Sequence, residues 1–150
     1  MTRGSPVKPW LLLIYKIPRE PAAGRVFVWR KLKQLGAIAL QDAAWVLPGS
    51  AKTREQLQWL AAEISELGGD ATLLSAEQLY ATDAEAMKRQ FVEPVEAEYR
   101  EILAALAGKD RDLSALSKRF QQVQARDYFA SGLGPKVRER LLKAQGGTAS

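Results

Sequence analysis

The order of apolar patterns in the first half of the chain is its strongest constraint on the fold. Residues 10–17 form an almost unbroken apolar run that ends at Pro18, which is typical of a central strand buried on both faces. Residues 22–35 then carry apolar side chains at helical spacing, and Gly36 follows as an expected helix end. The inward stripe of this helix is Val28, Leu32 and Leu35.

Three further patterns follow before residue 76. Residues 37–42 and 43–47 resemble two short strands with a turn near Asp42. Residues 52–67 have a helical pattern whose apolar face holds Leu57, Leu60, Ala61, Ile64 and Leu67. Residues 70–75 are expected to form the last strand.

The resulting order is strand, helix, strand, strand, helix, strand. This order predicts an α+β fold, the ferredoxin-like split βαβ sheet, over residues 10–76. Both helices should cover the same face of an antiparallel sheet.

Residues 82–146 are predicted to be a helical extension that packs on this sheet part as one structural unit. The first helix, 83–107, has an apolar side and contains Pro94, which would kink it or start a second segment. Asp110 or Asp112 caps the next helix, and the two helices should form an antiparallel hairpin. A last short helix is expected over 135–143.

Composition removes many kinds of chemistry. The chain has no cysteine and no histidine, so disulfides, the usual zinc ligands and histidine-based catalysis are all excluded. No phosphate-cradling glycine loop or nucleophile motif is present. Glu93 and Glu96 could hold a divalent ion, but a solvated helix face is the favoured interpretation. We therefore expect that the chain is not an enzyme and that it binds neither a metal nor a cofactor.

The net charge of +5 is unevenly distributed, because the positive excess lies in 1–75 and 108–150 while 76–107 is acidic. Basic side chains crowd two helices, and such clusters can neutralise the phosphates of DNA. An ordinary solvated surface is the alternative for any single cluster. The candidate DNA-binding residues are Arg25, Arg30, Lys31, Lys33, Lys118, Arg119 and Arg126.

Four aromatic residues divide into two groups by their helical or strand position. Phe27 and Trp59 lie opposite the apolar stripes of their helices, so a second subunit or the helical extension is expected to cover them. Trp29 and Trp45 fall within the apolar pattern and are predicted to be core residues.

Specific residues also suggest a family. Four segments carry the resemblance: Trp10-Leu-Leu-Leu-Ile-Tyr, Arg25 to Ala37 with the motif Trp-Arg-Lys-Leu-Lys, Leu40 to Pro48, and Arg126-Asp-Tyr-Phe. Together they resemble the N-terminal domain of the ChrB family, and the opening is distantly similar to the PaaX ferredoxin-like domain. The resemblance implies a cytoplasmic, DNA-binding transcriptional regulator in chromate resistance, acting as a homodimer.

The resemblance also implies alternatives. Full-length ChrB proteins carry a C-terminal domain linked to chromate sensing, so this chain is alternatively a protein-interaction module that docks on a separate sensing partner without contacting DNA. Chromate is a dianion, and Lys16 and Arg19, or Arg25 at a helix start, are candidate anion-binding residues. The opening is also similar to the ferredoxin-like domain of the small CRISPR-associated nucleases. Lys16 stands where those nucleases carry a metal-binding aspartate, which counts against nuclease activity of that type. The apolar run is too short to span a membrane.

Overall fold

The computed structural model describes residues 9–41 and 44–146. The chain divides into two compact units, Met1–Ala84 and Glu85–Ser150. The packing of the second part on the first as one structural unit stays a prediction. The expected turn at Asp42 lies outside the described residues. Within the described ranges, no helix combines the length and the apolar character needed to cross a bilayer.

In its described part, residues 9–41 and 44–84, the first unit is a four-stranded antiparallel sheet with two helices. Its strands are β1 (Trp10–Lys16), β2 (Ile38–Gln41), β3 (Ala44–Pro48) and β4 (Asp70–Ala76), and its helices are α1 (Ala22–Leu35) and α2 (Ala51–Glu66). The strand order is β2-β3-β1-β4, which confirms the predicted ferredoxin-like arrangement. Helix α2 packs on β1 and β4 and also contacts α1, so both helices lie on one face of the sheet.

Strand β1 is central, as predicted, but the prediction that both of its faces are buried is wrong. Leu11 and Leu13 are buried, whereas Ile14 is 42% exposed. Successive side chains of a strand point to opposite faces, and the two helices cover only one of them. A continuous apolar run therefore marked the central position of the strand and not its burial.

Local sequence signals set the ends of both helices. Gly36 ends α1 in the left-handed conformation, with φ of 79°. Ser50 begins α2 with a capping box, in which its side chain accepts from the Thr53 N–H. The buried Thr53 hydroxyl also donates to the Pro48 carbonyl at 2.7 Å, which ties α2 to the end of β3.

Two predicted core positions are wrong. Trp29 is 52% exposed, because Val28 and Leu32 fill the inward stripe of α1 and the next residue is rotated by about 100°. Leu67 is 41% exposed, because it is the C-terminal cap and lies beyond the last buried turn of α2. Trp45 is 8% exposed, as predicted for a core residue.

Over its described residues, 85–146, the second unit consists of three helices, α3 (Ala86–Ala107), α4 (Leu113–Ala125) and α5 (Leu133–Gly146). Helix α3 continues through Pro94, so a second segment does not start there. Asp112 caps α4 by accepting from the Ala115 N–H. Each helix contacts the other two, and α5 is longer than expected. The shared core is Val95, Tyr99, Ile102, Leu106, Phe120, Val123, Val137 and Leu141.

Candidate nucleic-acid interface

The outward surface of α1 carries four exposed cations, Arg25, Arg30, Lys31 and Lys33, which we call the α1 basic face. No carboxylate of the described residues forms an ion pair with any of them. Because Gly24, Val28 and Leu32 form the buried stripe, the cations are distributed around the remainder of the helix surface. The face therefore presents positive charge that is available to an anionic partner.

Aromatic side chains lie among these cations. The ammonium of Lys31 stands 5.7 Å from the centre of the Phe27 ring, and that of Lys33 stands 5.7 Å from the Trp29 ring. Such cation–π contacts hold flexible lysines near the helix without neutralising them. Exposed Trp29 also offers a flat surface on which a base or a sugar could pack.

The cations of α4 have a different environment. Arg126 donates to Glu98 at 2.7 and 3.4 Å, and Arg119 pairs with Glu101 and lies 3.7 Å from Glu98. The hydrogen bond from Arg126 lowers the pKa of Glu98, against the opposing effect of burial. Lys118 is exposed. Of the predicted α4 residues, the two arginines already have anionic partners, which sequence spacing could not show.

A groove of roughly 590 Å³ opens beside the end of β1 and the start of α1. Its lining includes the polar or charged residues Tyr15, Lys16 and Arg25 and the two tryptophans Trp29 and Trp45. Of the two predicted anion-binding residues, Lys16 lines this groove and Arg19 does not. Tyr15 and Trp45 were missed as site residues, because their proximity depends on the sheet register.

Two features make the polar side of this groove unusual. The buried indole N–H of Trp45 has no acceptor in ordinary hydrogen-bond geometry among the described residues. Burial raises the pKa of the Tyr15 hydroxyl, while the neighbouring Trp45 N–H and the positive charge of Arg25 lower it less strongly. The indole N–H of Trp45 and the guanidinium of Arg25 therefore lie close enough to the Tyr15 hydroxyl to affect its pKa.

The predicted interface aromatics are both at the surface of the first unit. Phe27 is 36% exposed and Trp59 is 67% exposed. A protein contact at these two residues stays a prediction.

The second unit has a cavity of about 630 Å³ lined by Tyr99, Asp127, Ser131 and Arg138 among others. The buried Tyr99 hydroxyl donates to Asp127 at 2.9 Å, and Asp127 also accepts from the Ser131 N–H. Its carboxylate thus joins α3 to the turn before α5. In residues 9–41 and 44–146, no group of three or more acidic side chains is arranged to hold a metal.

Comparisons with known proteins identify one family to which the chain is similar. The model of the family described as "Protein ChrB, N-terminal" matches residues 25–114. The chain is also similar to Protein ChrB of Cupriavidus metallidurans, with 33% identity over 110 residues. That match covers 73% of this chain and 33% of the relative, so the chain spans about a third of the relative's length. No solved structure matches significantly.

Proposed function

The chain belongs to the ChrB N-terminal family, and from that premise we propose that it is a DNA-binding transcriptional regulator in chromate resistance. The observation that carries this proposal is the α1 basic face, whose four cations are exposed and have no acidic partner in the described structure. Phosphate contacts supply much of the affinity of proteins for DNA, and they need cations of this kind.

The contrast between the two basic helices supports α1 as the principal contact. An arginine that already holds a carboxylate must give up that bond before it binds a phosphate, whereas the α1 cations have no such bond to lose. Arg30 and Lys33 lie three residues apart and so share one side of the helix, the spacing needed to reach neighbouring phosphates. Lys118 remains available as a secondary contact.

We further propose that the protein is cytoplasmic and that it acts by binding and not as an enzyme. We also propose a homodimer, since a two-fold dimer would place two α1 helices on two half-sites of one operator. Exposed Phe27 and Trp59 are available to the dimer contact.

Binding to the DNA upstream of its own gene tests this proposal. Fluorescence anisotropy at physiological salt should show tighter binding to the upstream duplex than to a shuffled duplex of the same composition. Specific binding usually exceeds non-specific binding by about a thousandfold or more. Equal affinity for the two duplexes would contradict a regulator that recognises an operator.

A protein-interaction module is a second candidate, and the exposed aromatics favour it. Val26, Phe27, Trp29 and Trp59 are all more than a third exposed, and large apolar side chains of this kind often mark protein contacts. In this case the chain docks on a separate chromate-sensing partner, of the type of the ChrB C-terminal domain, without contacting DNA. Binding of such a partner that Phe27→Ser abolishes, together with no DNA binding, would favour this candidate.

A further inference from the structure

We propose that the outer edge of β4 pairs with the β4 edge of a second copy of this chain, so that two four-stranded sheets form one continuous antiparallel sheet. The occupant of the edge is thus a second copy and not a different protein. The inference names the contact of the proposed homodimer, so it rests on that part of the proposed function.

The first argument is that β4 is an open edge. It is the last strand in the order β2-β3-β1-β4, and it pairs with β1 along its whole length, from Asp70 to Ala76. The residues that the structure describes place no strand on its other side. An antiparallel ladder uses only half of the backbone groups of an edge strand, so alternate N–H and C=O groups of β4 face outward and can pair with another strand.

The second argument is that β4 lacks the features that usually protect an edge. Its sequence, Asp-Ala-Thr-Leu-Leu-Ser-Ala, has no proline and no lysine, and its one charge, Asp70, lies opposite Lys16 of β1 at the end of the strand. The other edge, β2, is only four residues long, and its pairing with β3 is irregular between Ala39 and Gln41. One open edge per chain favours a closed pair over a growing fibre.

The third argument is that the exposed apolar side chains around β4 match a second copy. Leu67 precedes the strand and is 41% exposed, while Leu79 follows it and is 86% exposed. Antiparallel pairing brings the start of one strand to the end of the other, so Leu67 of each copy approaches Leu79 of the other. With complete overlap, Leu73 lies on the two-fold axis, and Thr72 faces the exposed Leu74 of the other copy. The chain matches itself, which favours a second copy over an unrelated partner.

The pairing has a consequence for the α1 basic face. A two-fold axis perpendicular to the sheet keeps the helix-covered faces of both copies on the same side. Both α1 helices therefore lie on one side of the joined sheet, as a dimer that binds two half-sites of one duplex requires.

The mass of the full chain in solution tests the pairing. Sedimentation velocity and light scattering should give a dimer of about twice the 16.6 kDa of one chain. Thr72→Lys/Leu74→Lys places like charges opposite each other at exposed positions and should raise the dimer dissociation constant about tenfold or more. Thr72→Lys/Leu74→Glu places opposite charges there and should restore the dimer. Ala39→Lys/Gln41→Lys adds two lysines to exposed positions of β2 and should leave the dimer unchanged.

Introduced thiols give a second test, because the chain has no cysteine of its own. The variants Ala71→Cys and Ser75→Cys are oxidised separately and as a mixture. Complete overlap places residue 71 of one copy opposite residue 75 of the other, so a disulfide should join the two different chains in the mixture. Each variant alone should stay uncrosslinked, because like positions are then separated by more than a disulfide can span.

Several outcomes would overturn the pairing. A chain that stays monomeric at every concentration refutes it, and so does a dimer that gives no crosslink in the mixture. A dimer that Phe27→Ser dissociates, while Thr72→Lys/Leu74→Lys does not, also refutes it and places the contact on α1. Anisotropy with the upstream duplex separates the proposed function from the pairing. A monomer that prefers this duplex leaves the regulator intact, whereas a β4 dimer without that preference leaves the pairing intact.

Discussion

Removal of two cations from the α1 basic face should flatten the salt dependence of DNA binding by a calculable amount. Each phosphate contact contributes about 0.9 to the slope of log affinity against log salt. If all four cations of the face contact phosphates, affinity falls roughly 150-fold between about 50 and 200 mM salt. The double variant Arg30→Gln/Lys31→Gln keeps two contacts, so its affinity should fall only about 12-fold over the same range.

Fluorescence anisotropy with a labelled duplex at several KCl concentrations measures both slopes. The matched control is Lys52→Gln/Arg54→Gln, which removes the same two residue types from exposed positions of α2. Its slope should equal that of the unmodified protein. The reasoning is refuted if the α1 variant keeps the original slope, or if the α2 variant loses as much slope as the α1 variant.

Three further predictions concern the stability of the fold and are read from thermal or urea unfolding. Gly24→Ala should stabilise the folded state by about 0.5–1 kcal/mol, because the added Cβ would meet only flexible side chains at 3.5 Å or more. Gly69→Ala should destabilise it by about 1–3 kcal/mol, because the added Cβ would lie 2.2 Å from the Lys16 carbonyl oxygen. Tyr99→Phe removes the buried hydrogen bond to Asp127 and should destabilise by about 1–3 kcal/mol. The native pKa of Glu98 is lowered by Arg126, so its stabilising contribution is present above about pH 4.5 and is lost as pH falls towards the native pKa.

Matched variants make each of these results decisive. Tyr80→Phe alters an exposed tyrosine and should change stability by less than about 0.5 kcal/mol, so an equal effect at Tyr99 would contradict the role of its hydrogen bond. Glu98→Gln should flatten the acid side of the stability profile and Glu93→Gln should not. Tolerance of alanine at residue 69 without loss of stability would show that the backbone approach there is not tight.

The sheet unit was predictable because its signals are local. The helical stripes, the glycine after α1 and the apolar runs together gave the element order, and that order has few possible arrangements. The burial of individual side chains was less accessible. Trp29 looked like a core residue because it is apolar and adjacent to Val28, yet one residue along a helix changes the face that a side chain occupies.

The candidate sites depended on contacts that sequence spacing does not reveal. Arg126 and Glu98 are 28 residues apart, so nothing in the pattern of α4 indicated that its arginines hold carboxylates. Trp45 and Tyr15 meet only through the pairing of β1 with β3. The exposure of the α1 cations could be predicted from sequence, because an exposed helix face needs no distant residue to present its own side chains, while their contact with DNA stays a prediction.

Photo-crosslinking from the outer side of α1 tests the central claim most directly. Val26 is 44% exposed among the cations, and Trp59 is a still more exposed position on α2, at 67%. With p-benzoyl-phenylalanine at position 26, we expect a salt-sensitive crosslink to the upstream duplex, and at position 59 we expect none. A probe at position 26 that crosslinks only to protein, while the duplex is saturating, would contradict α1 as the surface that contacts DNA.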